Sequence, residues 1–231
     1  MRTIGLIGGM SWESTIPYYR LINEYVREHR GGHHSAELIL ISVDFHAFEA
    51  RLRAADWGGI ASRLIDAARR LETAGADLLI LCTNTMHRVA PEIALAVGIP
   101  LLHILDPTVE AMHAARLTKI GLLGTRFTME QDFYRDRLAA RHGLEVIVPE
   151  SADRDVVHRI IFEELTQGRI LEASRVAYRR VIETLVARGA QGIVLGCTEL
   201  AMLIGPDDTA VPVFDTTSLH ARGAAEYALA P

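Results

Sequence analysis

Two residues in this sequence are best suited to chemistry, Cys82 and Cys197, the chain's only cysteines, 115 positions apart. That separation fits neither a disulfide framework nor a metal knuckle, so both read as thiols. Each closes a short apolar run, Leu78-Leu79-Ile80-Leu81 or Ile193-Val194-Leu195-Gly196, and each is followed by a threonine. Runs of this kind read as buried strands, and ligands of open α/β sheets gather at the carboxyl ends of the strands. A thiol placed there, at the start of the next helix, is expected to have its pKa drawn below the free value of about 8.5 by amides and the helix dipole. Two such thiols on opposite walls of a shared cleft suit one reaction above others. One removes a proton from a tetrahedral carbon, the other delivers a proton to the opposite face, and the centre inverts. One must be thiolate and the other thiol, with the roles exchanged for the reverse direction. The plainer alternative is that a strand-ending cysteine is an inert small hydrophobe.

The elements that must position these residues repeat. Strand candidates are Thr3-Ile7, Glu37-Val43, Asp77-Cys82, Pro100-Leu105, Lys119-Leu123, Glu145-Val148, Gly192-Gly196 and Val211-Phe214, separated by amphipathic stretches of helical length. That alternation predicts an α/β protein with parallel sheets, four strands and four strands. Ile4-Gly5-Leu6-Ile7-Gly8 recurs as Ile120-Gly121-Leu122-Leu123-Gly124 at an offset of 116. Tyr18-Tyr19-Arg20 is echoed by Phe133-Tyr134-Arg135 at 115, Ala74-Gly75-Ala76 by Arg188-Gly189-Ala190 at 114, and Cys82-Thr83 by Cys197-Thr198 at 115. Such order and spacing imply a duplicated unit. Two pseudo-symmetric lobes are expected, residues 1–106 and 107–215, joined near Asp106–Lys119 with a cleft between them.

Other polar positions suit a small-molecule site. Gly8-Gly9-Met10-Ser11 lacks the dinucleotide spacing and a phosphate-loop lysine, so it predicts a tight strand-to-helix turn with exposed amides. Gly124-Thr125 is its counterpart. Thr83, Asn84, Thr85, Thr198 and Glu199 add hydroxyl, amide and carboxylate groups able to hold an ammonium and a carboxylate, although such residues also cap helices. Ten histidines are scattered without an HExxH pattern, and no metal site is expected. His220 is read as having no primary role. The single lysine, Lys119, precedes a strand and so belongs to the edge opposite the ligands. A pyridoxal phosphate lysine there faces the wrong way, so amino acid racemisation in this chain would need no cofactor and would rest on hydrogen bonds in a desolvated site.

Composition narrows the partners. The 231 residues carry 24 basic and 29 acidic side chains, net -5, without a run of basic residues, which argues against nucleic acid. No apolar run approaches the roughly 18 residues needed to span a bilayer, and the opening residues lack a signal-peptide pattern, so no membrane is expected and the location reads as cytoplasmic.

The stretches Gly8-Gly9-Met10-Ser11-Trp12-Glu13-Ser14-Thr15, Cys82-Thr83-Asn84-Thr85-Met86-His87, Gly124-Thr125 and Gly196-Cys197-Thr198-Glu199-Leu200 resemble the aspartate/glutamate racemase family, cofactor-independent two-cysteine enzymes. The stretches Ser42-Val43-Asp44-Phe45-His46, Ile160-Ile161-Phe162-Glu163-Glu164-Leu165 and Pro212-Val213-Phe214-Asp215-Thr216 are similar to the bacterial broad-specificity amino acid racemase branch. The resemblance implies two Rossmann-like lobes, a final helix (216–231) packed on the first, and a homodimer. It implies Cys82 and Cys197 as proton donor and acceptor, with Met10, Ser11, Asn84, Thr85, Thr125 and Thr198 positioning the amino acid. Aspartate-selective relatives carry basic groups for the distal carboxylate where this chain has Leu52 and Leu165. A broad or neutral substrate range is therefore expected, with Arg51, Arg53 or Arg126 as the means of reaching an acidic one. The alternatives are a hydantoin racemase, a related isomerase or decarboxylase, and a non-catalytic two-lobed protein that binds amino acids.

Overall fold

The computed structural model describes residues 1–231, the side chains of Ala140 and Arg141 excepted. The chain divides into two compact units. Unit 1 comprises Met1–Asp106 and Thr217–Pro231, and unit 2 comprises Pro107–Thr216.

Unit 1 contains β1 (Ile4–Gly8), α1 (Trp12–Arg30), β2 (Leu38–Ser42), α2 (Phe45–Arg53), α3 (Trp57–Thr73), β3 (Leu78–Leu81), a 3₁₀ turn at Thr85–Val89, α4 (Ala90–Leu95) and β4 (Leu101–Leu102). Helix α5 (Leu105–Ala114) spans the boundary into unit 2. There follow β5 (Lys119–Gly124), α6 (Arg126–Glu130), α7 (Asp132–His142), β6 (Glu145–Ile147), α8 (Ser151–Glu163), α9 (Glu172–Ala187), β7 (Ile193–Gly196) and β8 (Val213–Asp215), with short 3₁₀ turns at Leu165–Gln167, Leu200–Met202 and Pro206–Asp208. Helix α10 (Thr216–Leu229) returns the chain to unit 1.

Each unit holds a four-stranded parallel sheet, ordered β2-β1-β3-β4 in one and β6-β5-β7-β8 in the other. The four-and-four parallel architecture expected from the sequence is the one that forms. Central strands β1, β3 and β7 are buried throughout because helices cover both faces, whereas the edge strands β2 and β6 are only partly covered. The repeat reaches the backbone angles. Gly75 and Gly189, just beyond α3 and α9, have φ values of 95° and 94°, a region that glycine enters without steric cost.

Two expectations about elements need correction. The fourth strand is only Leu101–Leu102, because His103 Nδ1 accepts a hydrogen bond from Leu105 N and its carbonyl accepts one from Asp106 N, which turns the chain into α5. The aromatic repeat also shifts: Tyr18 and Tyr134 are the fully buried residues while Tyr19 is exposed, so burial matches them at an offset of 116.

The core of unit 1 joins Ile4, Leu6, Tyr18, Ile22, Ile80 and Cys82 to Ala221, Ala224, Ala225 and Ala228 of α10. That of unit 2 joins Leu123, Val157, Leu165, Tyr178, Leu195 and Cys197.

Candidate active site

In unit 1 the chain leaves β1 for β2 on one side and returns to β3 on the other, so the topological switch point lies between β1 and β3. Crevices outside the carboxyl ends of strands at such a point are where open sheets bind ligands. Met10 and Ser11 follow β1, and Cys82, Thr83, Asn84 and Thr85 follow β3, all buried. Cys82 N donates to Ile7 O at 2.9 Å, which anchors the thiol-bearing residue beside β1. Thr83 N then turns back to Leu81 O, ending the strand.

The turn after β1 is tight because of one glycine. Gly9 has a φ of 88°, and a Cβ there would sit 2.3 Å from Val43 O, closer than any side chain tolerates. Its amide is not left open: Gly9 N donates to Thr15 Oγ1, which itself donates to Ser11 O. The expected exposed amide of Gly9 is thus used within the fold. Leu52 sits near the end of α2, the helix after β2, and is buried.

Unit 2 builds the equivalent arrangement around β5 and β7. Thr125 follows β5 and caps α6, its Oγ1 accepting from Thr128 N at 3.3 Å. Cys197, Thr198 and Glu199 follow β7 and are buried. Cys197 Sγ donates to Glu199 Oε2 at 3.0 Å, and Thr198 Oγ1 donates to the same oxygen at 2.8 Å. Leu165 lies in the same apolar cluster as Cys197. Tyr134 and Tyr178 are also buried, and the thiol's charge contributes, after burial, to the raised pKa of each phenol.

The expected low thiol pKa is overturned. Burial pushes the Cys82 thiol well above its ordinary value. Burial, followed by the Glu199 carboxylate, does the same to Cys197. Desolvation penalises the anion, and the elements after the cysteines are 3₁₀ turns of five and three residues, too short to supply the helix dipole anticipated from the sequence.

The arginines available for an acidic substrate are already engaged. Arg51 pairs with Asp56, Arg53 with Glu49, and Arg126 with Asp155. Lys119 opens β5, at the end opposite Gly124 and Thr125, and its ammonium lies 2.9 Å from Glu145. Among the described residues no cluster of three or more His, Cys, Asp or Glu is arranged to hold a metal, and no helix is long and apolar enough to cross a membrane. His220 is fully buried in α10 between Tyr18 and Leu102 O. Sequence reasoning gave no role to His87, which closes the stretch Cys82–His87 four residues after Thr83 and whose ring hydrogen-bonds the cysteine turn.

A profile of the Asp/Glu/hydantoin racemase family matches residues 7–224. The chain belongs to that family. It is 26% identical over 233 residues to the broad specificity amino-acid racemase RacX of Bacillus subtilis (strain 168), an alignment covering 98% of each chain. Among solved structures, a candidate Asp/Glu racemase from Yersinia pestis is 56% identical with a TM-score of 0.92, covering 100% of both chains. An aspartate racemase homologue from Pyrococcus horikoshii OT3 is 38% identical with a TM-score of 0.85, covering 99% of both. The motifs around Cys82 and Cys197 therefore stand in an Asp/Glu/hydantoin racemase family framework along almost the entire sequence.

Proposed function

We propose that this protein is an amino acid racemase, an isomerase that inverts the α-carbon by 1,1-proton transfer between Cys82 and Cys197 without an organic cofactor. The observation that carries this reading is the equivalence of the two cysteines: each follows the strand beside the switch point of its own sheet, at matching places in a duplicated unit. One thiolate removes the α-proton and becomes a thiol, leaving a carbanion delocalised into the substrate carboxylate. The other thiol protonates the opposite face and becomes the thiolate, so turnover in the reverse direction starts from the state just formed.

Both thiols are held protonated by burial, so the base must form as substrate binds. The α-ammonium of the amino acid supplies the nearby positive charge that favours a thiolate. Hydroxyl and amide donors from Ser11, Thr83, Asn84, Thr85, Thr125 and Thr198 suit the carboxylate as its charge grows, the interaction that accelerates such a step. Met10 lines the same turn as Ser11. Glu199 accepts from Cys197 Sγ, and its charge favours the thiol form of Cys197.

Substrate range follows the side chains nearby. Leu52 and Leu165 are apolar and buried, and Arg51, Arg53 and Arg126 are paired, which supports neutral side chains over acidic ones. Aspartate and glutamate are the slower members of a broad range. The family's name includes hydantoins, so a 5-substituted hydantoin belongs in the same panel. We also infer a homodimer, checked by sedimentation, and a reducing, cytoplasmic setting, consistent with two free thiols.

The test is incubation of Cys82→Ala and Cys197→Ala with each enantiomer in deuterated water. Full racemisation should fall by about three orders of magnitude or more, as expected when an essential acid or base is removed. Each variant should retain α-proton exchange with one enantiomer only. Undiminished racemisation by either variant rules the two-thiol mechanism out.

A further inference from the structure

We propose that His87 is a positioning residue for Cys82, acting as a neutral imidazole that holds the Cys82–Thr85 turn in its working geometry through the Thr83 carbonyl. The inference rests on the reading of Cys82 as one of the two proton-transfer thiols.

The ring bridges two segments. Its Nδ1 lies 2.7 Å from Thr83 O, and its Nε2 lies 3.1 Å from Ile104 N. A carbonyl can only accept and a backbone amide can only donate, so the proton sits on Nδ1 and the lone pair on Nε2. His87 is therefore confined to one tautomer of the neutral ring. A second proton on Nε2 would set donor against donor at Ile104.

The contact falls where the turn needs it. Upstream, Cys82 N is fixed to Ile7 O and Thr83 N to Leu81 O. Downstream, His87 N donates to Asn84 O, and the imidazole holds Thr83 O, the carbonyl of the residue that follows the cysteine. Thr83, Asn84 and Thr85, the groups assigned to substrate, are thereby tied between β3 and the segment leaving β4. The ring is itself wedged: it is buried, with the His103 ring 4.4 Å and the His220 ring 5.8 Å away, each at a steep angle. His220 holds the other side of this segment through Nε2 to Leu102 O and Nδ1 to Tyr18 OH. A small-residue cap would satisfy the turn's polar groups. The ring in addition ties the turn to the segment leaving β4.

Three substitutions separate the two contacts. In His87→Asn the amide nitrogen stands near the place of Nδ1 and restores the donor to Thr83 O. In His87→Gln the longer side chain carries an acceptor toward Ile104 N. His87→Ala loses both. The full chain is assayed with the fastest substrate among L-alanine, L-serine, L-leucine, L-aspartate and L-glutamate, with turnover referred to the folded fraction from thermal melts. We expect kcat to fall about 100-fold in His87→Ala, the scale of an ångström-sized misplacement of a reacting group. His87→Asn should recover at least about tenfold of that, and His87→Gln should not. Wild-type kcat in folded His87→Ala, or equal kcat in the Asn and Gln variants, overturns the proposal. If none of the variants folds, the ¹⁵N NMR spectrum of histidine-labelled wild-type protein decides it at pH 7. An Nδ1–H neutral ring at His87 is expected, and an Nε2–H ring or an imidazolium overturns it. Cys82→Ala is run alongside. Retained racemisation there defeats the underlying two-thiol reading, whereas an inactive Cys82→Ala beside a fully active His87→Ala defeats only the role of His87.

Discussion

The two thiols sit in different surroundings despite their matched positions. Cys197 hydrogen-bonds directly to a carboxylate, whereas Cys82 precedes Thr83, whose carbonyl oxygen is held by the His87 imidazole. This difference has a signature in pH. Because both thiols are raised by burial, kcat/KM of the free enzyme should climb with pH beyond the ordinary thiol range, until loss of the substrate ammonium reverses the trend. Glu199→Gln removes a carboxylate that raises the Cys197 pKa by charge and by hydrogen bonding. The alkaline rise should then move to lower pH while kcat falls. A pH profile of the variant that superimposes on that of the wild type refutes a role for Glu199 beside the thiol. The identity of the two cysteines and of the hydroxyl-rich segments after them was legible in the sequence, since the duplication marks them. Their ionisation was not. It depends on burial and on which atom Glu199 faces, and neither is encoded in spacing.

At the scale of elements, the turn after β1 is the most constrained piece of backbone near the site. Gly9→Ala places a methyl against Val43 O in a left-handed conformation, so the variant should lose about 2 to 3 kcal/mol or more of stability and most of its activity. Gly31→Ala, at a φ of 73° and ψ of -178° with open space around it, should cost about 1 to 3 kcal/mol and leave turnover intact. Urea titrations of the two variants measure the difference, and equal losses would show that crowding at Gly9 is unimportant. The strands themselves were readable because apolar runs of four to six residues stand between clear turn signals. Two features escaped. The fourth strand stops early because the His103 side chain competes for the amides of the ladder. The second unit splits its first long helix into α6 and α7, where the first unit keeps α1 whole. Both are decided by side-chain contacts that periodicity does not register.

For the molecule as a whole, stability should narrow from both sides of neutrality. His220 is buried as a neutral ring between Tyr18 and Leu102, and burial lowers its pKa to about 4. An unfolded chain binds that proton near pH 6.5, so its stabilising contribution is present above pH 6.5 and is lost as pH falls toward 4. The loss is on the order of 3 kcal/mol. The thiols act in the opposite direction. Their folded pKa values are raised, so stability is full below the unfolded value of about 8.5 and declines by about 1.4 kcal/mol per pH unit for each thiol above it. Denaturant melts from pH 4 to 10 should show both limbs. Cys82→Ser should make the alkaline limb about half as steep and His220→Gln should flatten the acid one, and an unchanged acid limb in His220→Gln would assign it elsewhere.

Unit 1 is discontinuous, and its core includes four alanines and a histidine from the last fifteen residues. A ribosome making this chain therefore releases its segments in an order that does not match the order in which the units can be finished. The middle stretch, Pro107–Thr216, is available in full while Tyr18 still lacks its hydrogen-bond acceptor and the apolar side of α1 still lacks a cover. The portion synthesised first must wait, partly open, until the last helix emerges, so nascent-chain protease protection should appear in the central segment before it appears at the amino terminus.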